Sequence, residues 1–267
     1  MLLRWIPVLF LPLLVATAHA EVRQVELIAH RGASHDAPEN TVAAFNLAWE
    51  QQADGAECDL YLTKDGHIVG FHDKTAKRTA GVDKPITECT FAELRELDVG
   101  SWKNPRYHGE KIPSFQELIS AVPAGKKIYI EIKSGPEIVP ELLRQMKEHG
   151  KPVAETPIIC FNAKVIAAVK EERPDLPAYF LHDPEKITAE ELIQKAREIH
   201  ADGVDLRANA KLDAEYARKI LDAGLRLDVW TVNSPEEARR VAELGVQGIT
   251  TDRPAFLREH LFSTSAP

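Results

Sequence analysis

Seven side chains in this sequence have types and spacings suited to proton transfer and phosphate binding. His30-Arg31-Gly32 sets an imidazole beside a guanidinium. His moves protons near neutral pH, and Arg grips phosphate through two parallel hydrogen bonds. Glu57-Cys58-Asp59 places two carboxylates at i and i+2. On a strand they share one face while Cys58 takes the other with Leu60 and Leu62. Two acids held together repel unless a hard divalent cation joins them. Glu131 and Lys133 repeat the i, i+2 spacing, and Phe71-His72-Asp73 adds a second imidazole. Three acids for a cation, Arg31 for phosphoryl oxygens, Lys133 for an acid or a phosphate oxygen, and two histidines form the inventory that phosphodiester hydrolysis needs. Trp230 either packs on a substrate's carbon skeleton or fills core. Thr250-Thr251-Asp252-Arg253 ends the last apparent strand.

The elements that must position these groups alternate along the chain. Short β-branched runs occupy 25–29, 57–62, 68–71, 127–132, 157–161, 178–181, 203–206, 226–231 and 248–251. Amphipathic stretches lie between most of them, such as 41–52, 136–148, 189–199 and 235–244. Ser234 before Pro235-Glu236-Glu237 is a helix start, with Pro at the first position and acids in the first turn. Repeated strand–helix units predict a parallel sheet with helices outside, and about eight of them predict a closed (β/α)8 TIM-type barrel. The chemistry-bearing residues then fall at strand C-terminal ends, where such barrels keep their sites.

Nine runs are one more than the barrel needs. Only 63–67 separates the second from the third, shorter than a parallel crossover. Lys64-Asp65-Gly66 is a turn signal, which leaves a hairpin or a helix-free connection open. A hairpin sets His72 opposite Glu57; a parallel strand sets it at the barrel mouth. Residues 74–112 read as a polar insertion with one helical piece at 90–97, an extension of the active-site face.

The 267 residues are 44% hydrophobic and 28% charged, ordinary for a folded chain large enough to bury a core without disulfides. The net charge of −8 disfavours nucleic acid as the main partner. At the N-terminus Arg4, an apolar run over 5–15 and Ala18-His19-Ala20 match a secretory signal peptide over 1–20. The run is shorter than the ~20 residues of a membrane span. The expectation is export to a periplasmic or secreted location without a stable membrane anchor, with one barrel domain over 21–267. Cys58, Cys89 and Cys160 are too far apart in sequence for a zinc motif; Cys58 and Cys160 read as buried small hydrophobes.

From Ile28 to Pro254 the chain resembles the glycerophosphodiester phosphodiesterase family. The resemblance rests on His30-Arg31-Gly32, Pro38-Glu39-Asn40-Thr41, Glu57-x-Asp59, Thr63-Lys64-Asp65-Gly66 through His72-Asp73, Glu131-Ile132-Lys133, Trp230-Thr231-Val232-Asn233 and 248–254. It implies a barrel with an insertion after His72, and Glu57, Asp59 and Glu131 as ligands of one Mg2+ or Ca2+ ion. It implies His30 and His72 as general acid and base, Arg31 on the phosphate, Lys133 in the substrate pocket and Trp230 at the glycerol. The implied products are glycerol 3-phosphate and an alcohol such as choline or ethanolamine. Cys160 stands where the family often has Ser. Two rival readings are a phosphodiesterase acting on intact phospholipid, and a non-catalytic phosphate-binding protein of the export compartment.

Overall fold

The computed structural model describes residues 25–262. The proposed signal peptide over 1–20 lies outside the described residues. Nine strands form: β1 (Glu26–Ala29), β2 (Gly55–Leu62), β3 (Ile68–Gly70), β4 (Lys127–Ile132), β5 (Ile158–Cys160), β6 (Ala178–His182), β7 (Gly203–Arg207), β8 (Arg226–Trp230) and β9 (Gly248–Thr251). Eight are parallel neighbours in the order β1-β9-β8-β7-β6-β5-β4-β2, and pairing of β1 with β2 closes the ring. The expected (β/α)8 TIM-type barrel is therefore the fold.

The ninth strand is the hairpin arm. β3 pairs antiparallel to β2, with Leu60 against Gly70 and Leu62 against Ile68. The turn forms because Thr63 Oγ1 donates to Asp65 at 2.7 Å and Gly66 takes a φ of +81°. Extending that register sets Phe71 against Asp59, whose carbonyl accepts from the Phe71 N–H at 2.9 Å. His72 thus falls one residue away from the expected place opposite Glu57.

Strand alternation divides the barrel cleanly. Leu27, Cys58, Leu60, Ile130, Val204, Leu206, Leu227 and Ile249 point outward and join the main core under the helices. Those helices present matching apolar faces: Leu192 and Ala196 from Ala189–Glu198, and Ala238 and Val241 from Pro235–Glu243, are buried. Their starts are chemically fixed. Thr188 and Glu191 form a capping box, and Ser234 accepts from the Glu237 N–H ahead of Pro235. Inside the barrel, the lower end is ionic. Glu26 pairs with Lys127 at 2.5 Å and Arg226 at 2.7 Å, and Arg226 holds Asp228 at 2.9 Å. Above it Ile28, Tyr129, Ile159, Tyr179 and Leu181 make an apolar layer, with Trp230 packed against it.

The insertion is less polar than the sequence suggested. Ile86, Leu94, Val99 and Ile112 pack with Tyr61, Val69 and Phe71 into a second core over the hairpin. Its helical piece is Phe91–Arg95, and Lys77–Ala80 and two 3-10 turns accompany it. Lys103 reaches the Ser34 carbonyl at 2.6 Å and Tyr107 that of Asp36 at 3.1 Å, tying the insertion to the loop after β1. All three cysteines are buried and unbridged; Cys58 lies in the outer core and Cys160 Sγ donates to the Ile132 carbonyl at 3.0 Å.

Candidate active site

A cavity of about 240 Å³ opens at the C-terminal ends of the strands. His30, Arg31, Glu57, His72, Glu131, Lys133 and Trp230 line it, together with Ile159, Phe161, Leu181, Asp205 and Thr250. Asp59 lies directly behind Arg31 and Lys133. The eight predicted residues therefore meet at one place.

The three acids cluster beside it, Glu57 and Glu131 among its lining residues. One carboxylate oxygen from each of Glu57, Asp59 and Glu131 lies within 4.8 Å of the others. Glu57 and Asp59 are almost wholly buried. Burial first, then the charges of Asp59 and Glu131, pushes Glu57 well above the usual carboxylate range. Burial also raises Glu131, helped by Asp59 and opposed by Lys133 at 2.8 Å, to about 7. Burial works to raise Asp59 too, but Arg31 at 3.4 Å and Lys133 at 3.4 Å outweigh it and hold Asp59 low. Glu57 Oε2 accepts from the Arg31 N–H at 2.8 Å, while its Oε1 is buried without a hydrogen-bond partner. A buried orphan oxygen among like charges is a costly arrangement for the protein alone. A hard cation with oxygen ligands fits it.

The loop after β1 is shaped around these acids. Arg31 and Asn40 both adopt left-handed backbone, with φ of +54° and +57°. For residues other than Gly this costs of order 1–3 kcal/mol each. The return is two contacts: the Arg31 N–H on Glu57, and Asn40, whose amide donates to Asp59 at 2.8 Å and accepts from the Asp59 N–H at 3.0 Å. Gly32 has a φ of +78°, and a Cβ there would sit 2.6 Å from the Ala44 carbonyl carbon. It serves the turn against the helix Val42–Glu50.

Each histidine is fixed by its own carboxylate. His30 Nδ1 meets Asp252 at 2.6 Å, and His72 Nδ1 meets Asp73 at 2.8 Å. A carboxylate only accepts, so Nδ1 carries the proton and the neutral ring leaves Nε2 as an acceptor. Burial works to raise Asp252, but hydrogen bonds from His30, Asn233 and Ser34 hold it well below its usual range. Asp73, against a similar burial effect, is held at about 2 by Arg78 and His72. Burial lowers His72 and Asp59 opposes it, with a net downward shift.

Sequence reasoning placed Asp252, Asn233, Asp73, Glu39 and Asn40 inside motifs without assigning them work. Asp252 and Asn233 lie far from His30 along the chain, and only closure of β9 onto β1 brings them together. The signal for Asp73 was its adjacency to His72. Glu39 bridges Arg31 at 3.0 Å and Arg78 at 2.7 Å. Trp230 lines the cavity and also packs on the inner apolar layer.

Residues 30–256 match the model of the glycerophosphoryl diester phosphodiesterase family. A glycerophosphodiester phosphodiesterase of Caldanaerobacter subterraneus is 34% identical, with 86% of this chain and 95% of the relative covered. One of Bacillus subtilis is 31% identical over 85% of this chain and 83% of its own. Among solved structures, an Oleispira antarctica phosphodiesterase in complex with the product sn-glycerol-3-phosphate superposes with a TM-score of 0.82. It is 27% identical and covers 89% of this chain and 97% of its own. A glycerophosphodiester phosphodiesterase of Thermotoga maritima gives a TM-score of 0.74 at 28% identity, covering 88% and 98%. With the barrel, the cavity and these matches in agreement, this chain belongs to the glycerophosphoryl diester phosphodiesterase family.

Proposed function

We propose that this enzyme hydrolyses glycerophosphodiesters to glycerol 3-phosphate and an alcohol, with one divalent cation and two histidines as proton carriers. The observation that carries the reading is the set of three acidic oxygens within 4.8 Å, in the same cavity as two carboxylate-fixed histidines. Glu57, Asp59 and Glu131 would hold Mg2+ or Ca2+. When bound, the cation supplies positive charge that stabilises the phosphoryl oxygens as the reaction proceeds. Arg31 and Lys133 orient the phosphate and neutralise part of its charge. One histidine accepts at Nε2 a proton from the attacking water as the water oxygen bonds phosphorus. The other, protonated at Nε2, gives its proton to the alcohol oxygen as that P–O bond breaks. Trp230 and the aliphatic wall of Ile159 and Leu181 take the carbon skeleton of the glycerol.

Among the described residues, Trp102 and Phe161 are the exposed large hydrophobics, and no helix is long and apolar enough to cross a membrane. The reading favours a deacylated diester over intact phospholipid on that ground. Residues 1–20 would direct export to a periplasmic or secreted location, with 21–267 as one barrel domain; the N-terminal mass of the exported protein tests this. Phosphorus NMR of reactions with glycerophosphocholine, glycerophosphoethanolamine and dioleoylphosphatidylcholine tests the chemistry. Glycerol 3-phosphate from the first two supports it. Phosphocholine as product, or turnover of the intact lipid alone, overturns it.

A further inference from the structure

A buried carboxyl on β7 has no part in the chemistry above. Strand alternation turns Val204 and Leu206 outward into the core and Asp205 inward. Asp205 lines the active-site cavity yet is only 1% exposed. Its Oδ1 is buried with no hydrogen-bond partner among the described residues. The contrast with its neighbour is informative. Asp228 stands beside it in register, and both Asp228 oxygens accept from Arg226 Nε at 2.9 Å. The Arg226 charge is thus spent at the lower end of the barrel on Asp228 and Glu26.

The surroundings say what Asp205 is placed to meet. Its backbone carbonyl accepts from Trp230 Nε1 at 3.2 Å, so the indole is anchored on the same residue. Along their strands, Asp205 and Asp228 sit one inward layer below Arg207 and Trp230. Leu181 and Ile159 line the same cavity. A buried acceptor left open costs stability unless an outside donor completes it. The cavity's cationic groups, Arg31 and Lys133, serve an anion; a carboxyl repels one. The group suited to Asp205 is therefore the uncharged, hydroxyl-bearing part of a substrate, with its carbons on Trp230.

We infer that Asp205 is a specificity-determining residue whose carboxyl accepts a hydrogen bond from a hydroxyl of the substrate's glycerol group. This rests on the reading under Proposed function and adds the atom that tells a polyol from a plain alkyl chain. A hydroxyl can donate to this carboxyl in either protonation state. A site built to pair a hydroxyl rejects the analogue that lacks it, because its buried acceptor is then left open.

The test compares two ligands that undergo no reaction, glycerol 3-phosphate and n-propyl phosphate, by titration calorimetry on cation-loaded protein. The wild type is expected to bind glycerol 3-phosphate more tightly by at least about tenfold. Asp205→Leu and Asp205→Ala should bring that ratio close to one, chiefly by weakening glycerol 3-phosphate. Asp205→Asn, which keeps an acceptor, should stay near the wild-type ratio. Two truncations of different size guard against a variant that fails to fold, since a wild-type ratio in either one overturns the inference. A carboxyl that served only a structural water would give that result. Hydrolysis of glycerophosphodiesters by wild type separates the levels: turnover with an unchanged ratio overturns the role of Asp205 alone, and no turnover overturns both.

Discussion

Replacing Glu57 by Gln should make the cation-free protein more stable and abolish its response to cation. Glu57 is 2% exposed, with one oxygen unpaired and two other acids around it. At 4.8 Å, the outer limit of the separation between these carboxylate oxygens, two full charges repel by about 3.5 kcal/mol in an effective dielectric of ~20. Arg31 and Lys133 offset part of this, and partial protonation relieves more, which leaves a net relief on the order of 2 kcal/mol. The Gln amide keeps an acceptor for the Arg31 N–H and gains a donor for its acidic neighbours. For a domain of this size that corresponds to a rise in Tm of about 4–8 °C in chelator. Cation at about 100 times its Kd should stabilise wild type by about 2.7 kcal/mol, or about 5–10 °C, and leave Glu57→Gln unmoved. Thermal unfolding with Mg2+, Ca2+ or chelator reads both effects. A Gln variant that melts lower in chelator, or that keeps the full cation shift, refutes the assignment of Glu57 as a ligand forced among like charges.

The same site makes three further predictions. His72→Ala should lower kcat by about 10²–10⁴ while retaining the cation-induced Tm shift, which separates proton transfer from ligation in parallel kinetic and melting assays. Asp252→Asn removes the carboxylate on His30 Nδ1, and kcat should fall by at least about tenfold with KM little changed. Glu131 is raised to about 7 in the folded chain, so folding favours its protonated form. That penalty is present in full above pH 7 and is relieved as pH falls toward the ordinary carboxylate range. A cation competes with the same proton, so the cation-induced Tm shift should be larger at pH 8 than at pH 6, as melting in two buffers will show.

Much of this was legible because strand periodicity and the site coincide. The i, i+2 spacing of Glu57 and Asp59, and of Glu131 and Lys133, put the functional groups on the inner face, and Cys58 and Leu60 on the outer face confirm it. The hairpin was only half legible. Five residues between strands left a hairpin or a helix-free connection open, and the register of His72 depended on how the turn closes through Thr63, Asp65 and Gly66. The second core under the insertion was missed because its apolar residues, Ile86, Leu94, Val99 and Ile112, are widely spaced among polar ones. The partner of His30 was missed for a different reason. Asp252 is 222 residues from His30, and no local pattern signals a contact made only when the barrel closes. Asp205 carries no motif of its own, and only the packed barrel shows that Asp228 and Glu26 take Arg226 and leave Asp205 without it.

On the proposed reading, Glu57, Asp59 and Glu131 hold a cation beside two working histidines for cleavage of glycerophosphodiesters. Its most direct test is the rate of glycerol 3-phosphate release from glycerophosphocholine by chelator-treated protein, before and after Mg2+ or Ca2+ is restored. Negligible turnover is expected after chelation, with recovery on adding cation to wild type and no recovery in Glu57→Gln. Full turnover in chelator, or recovery in the variant equal to wild type, would contradict it.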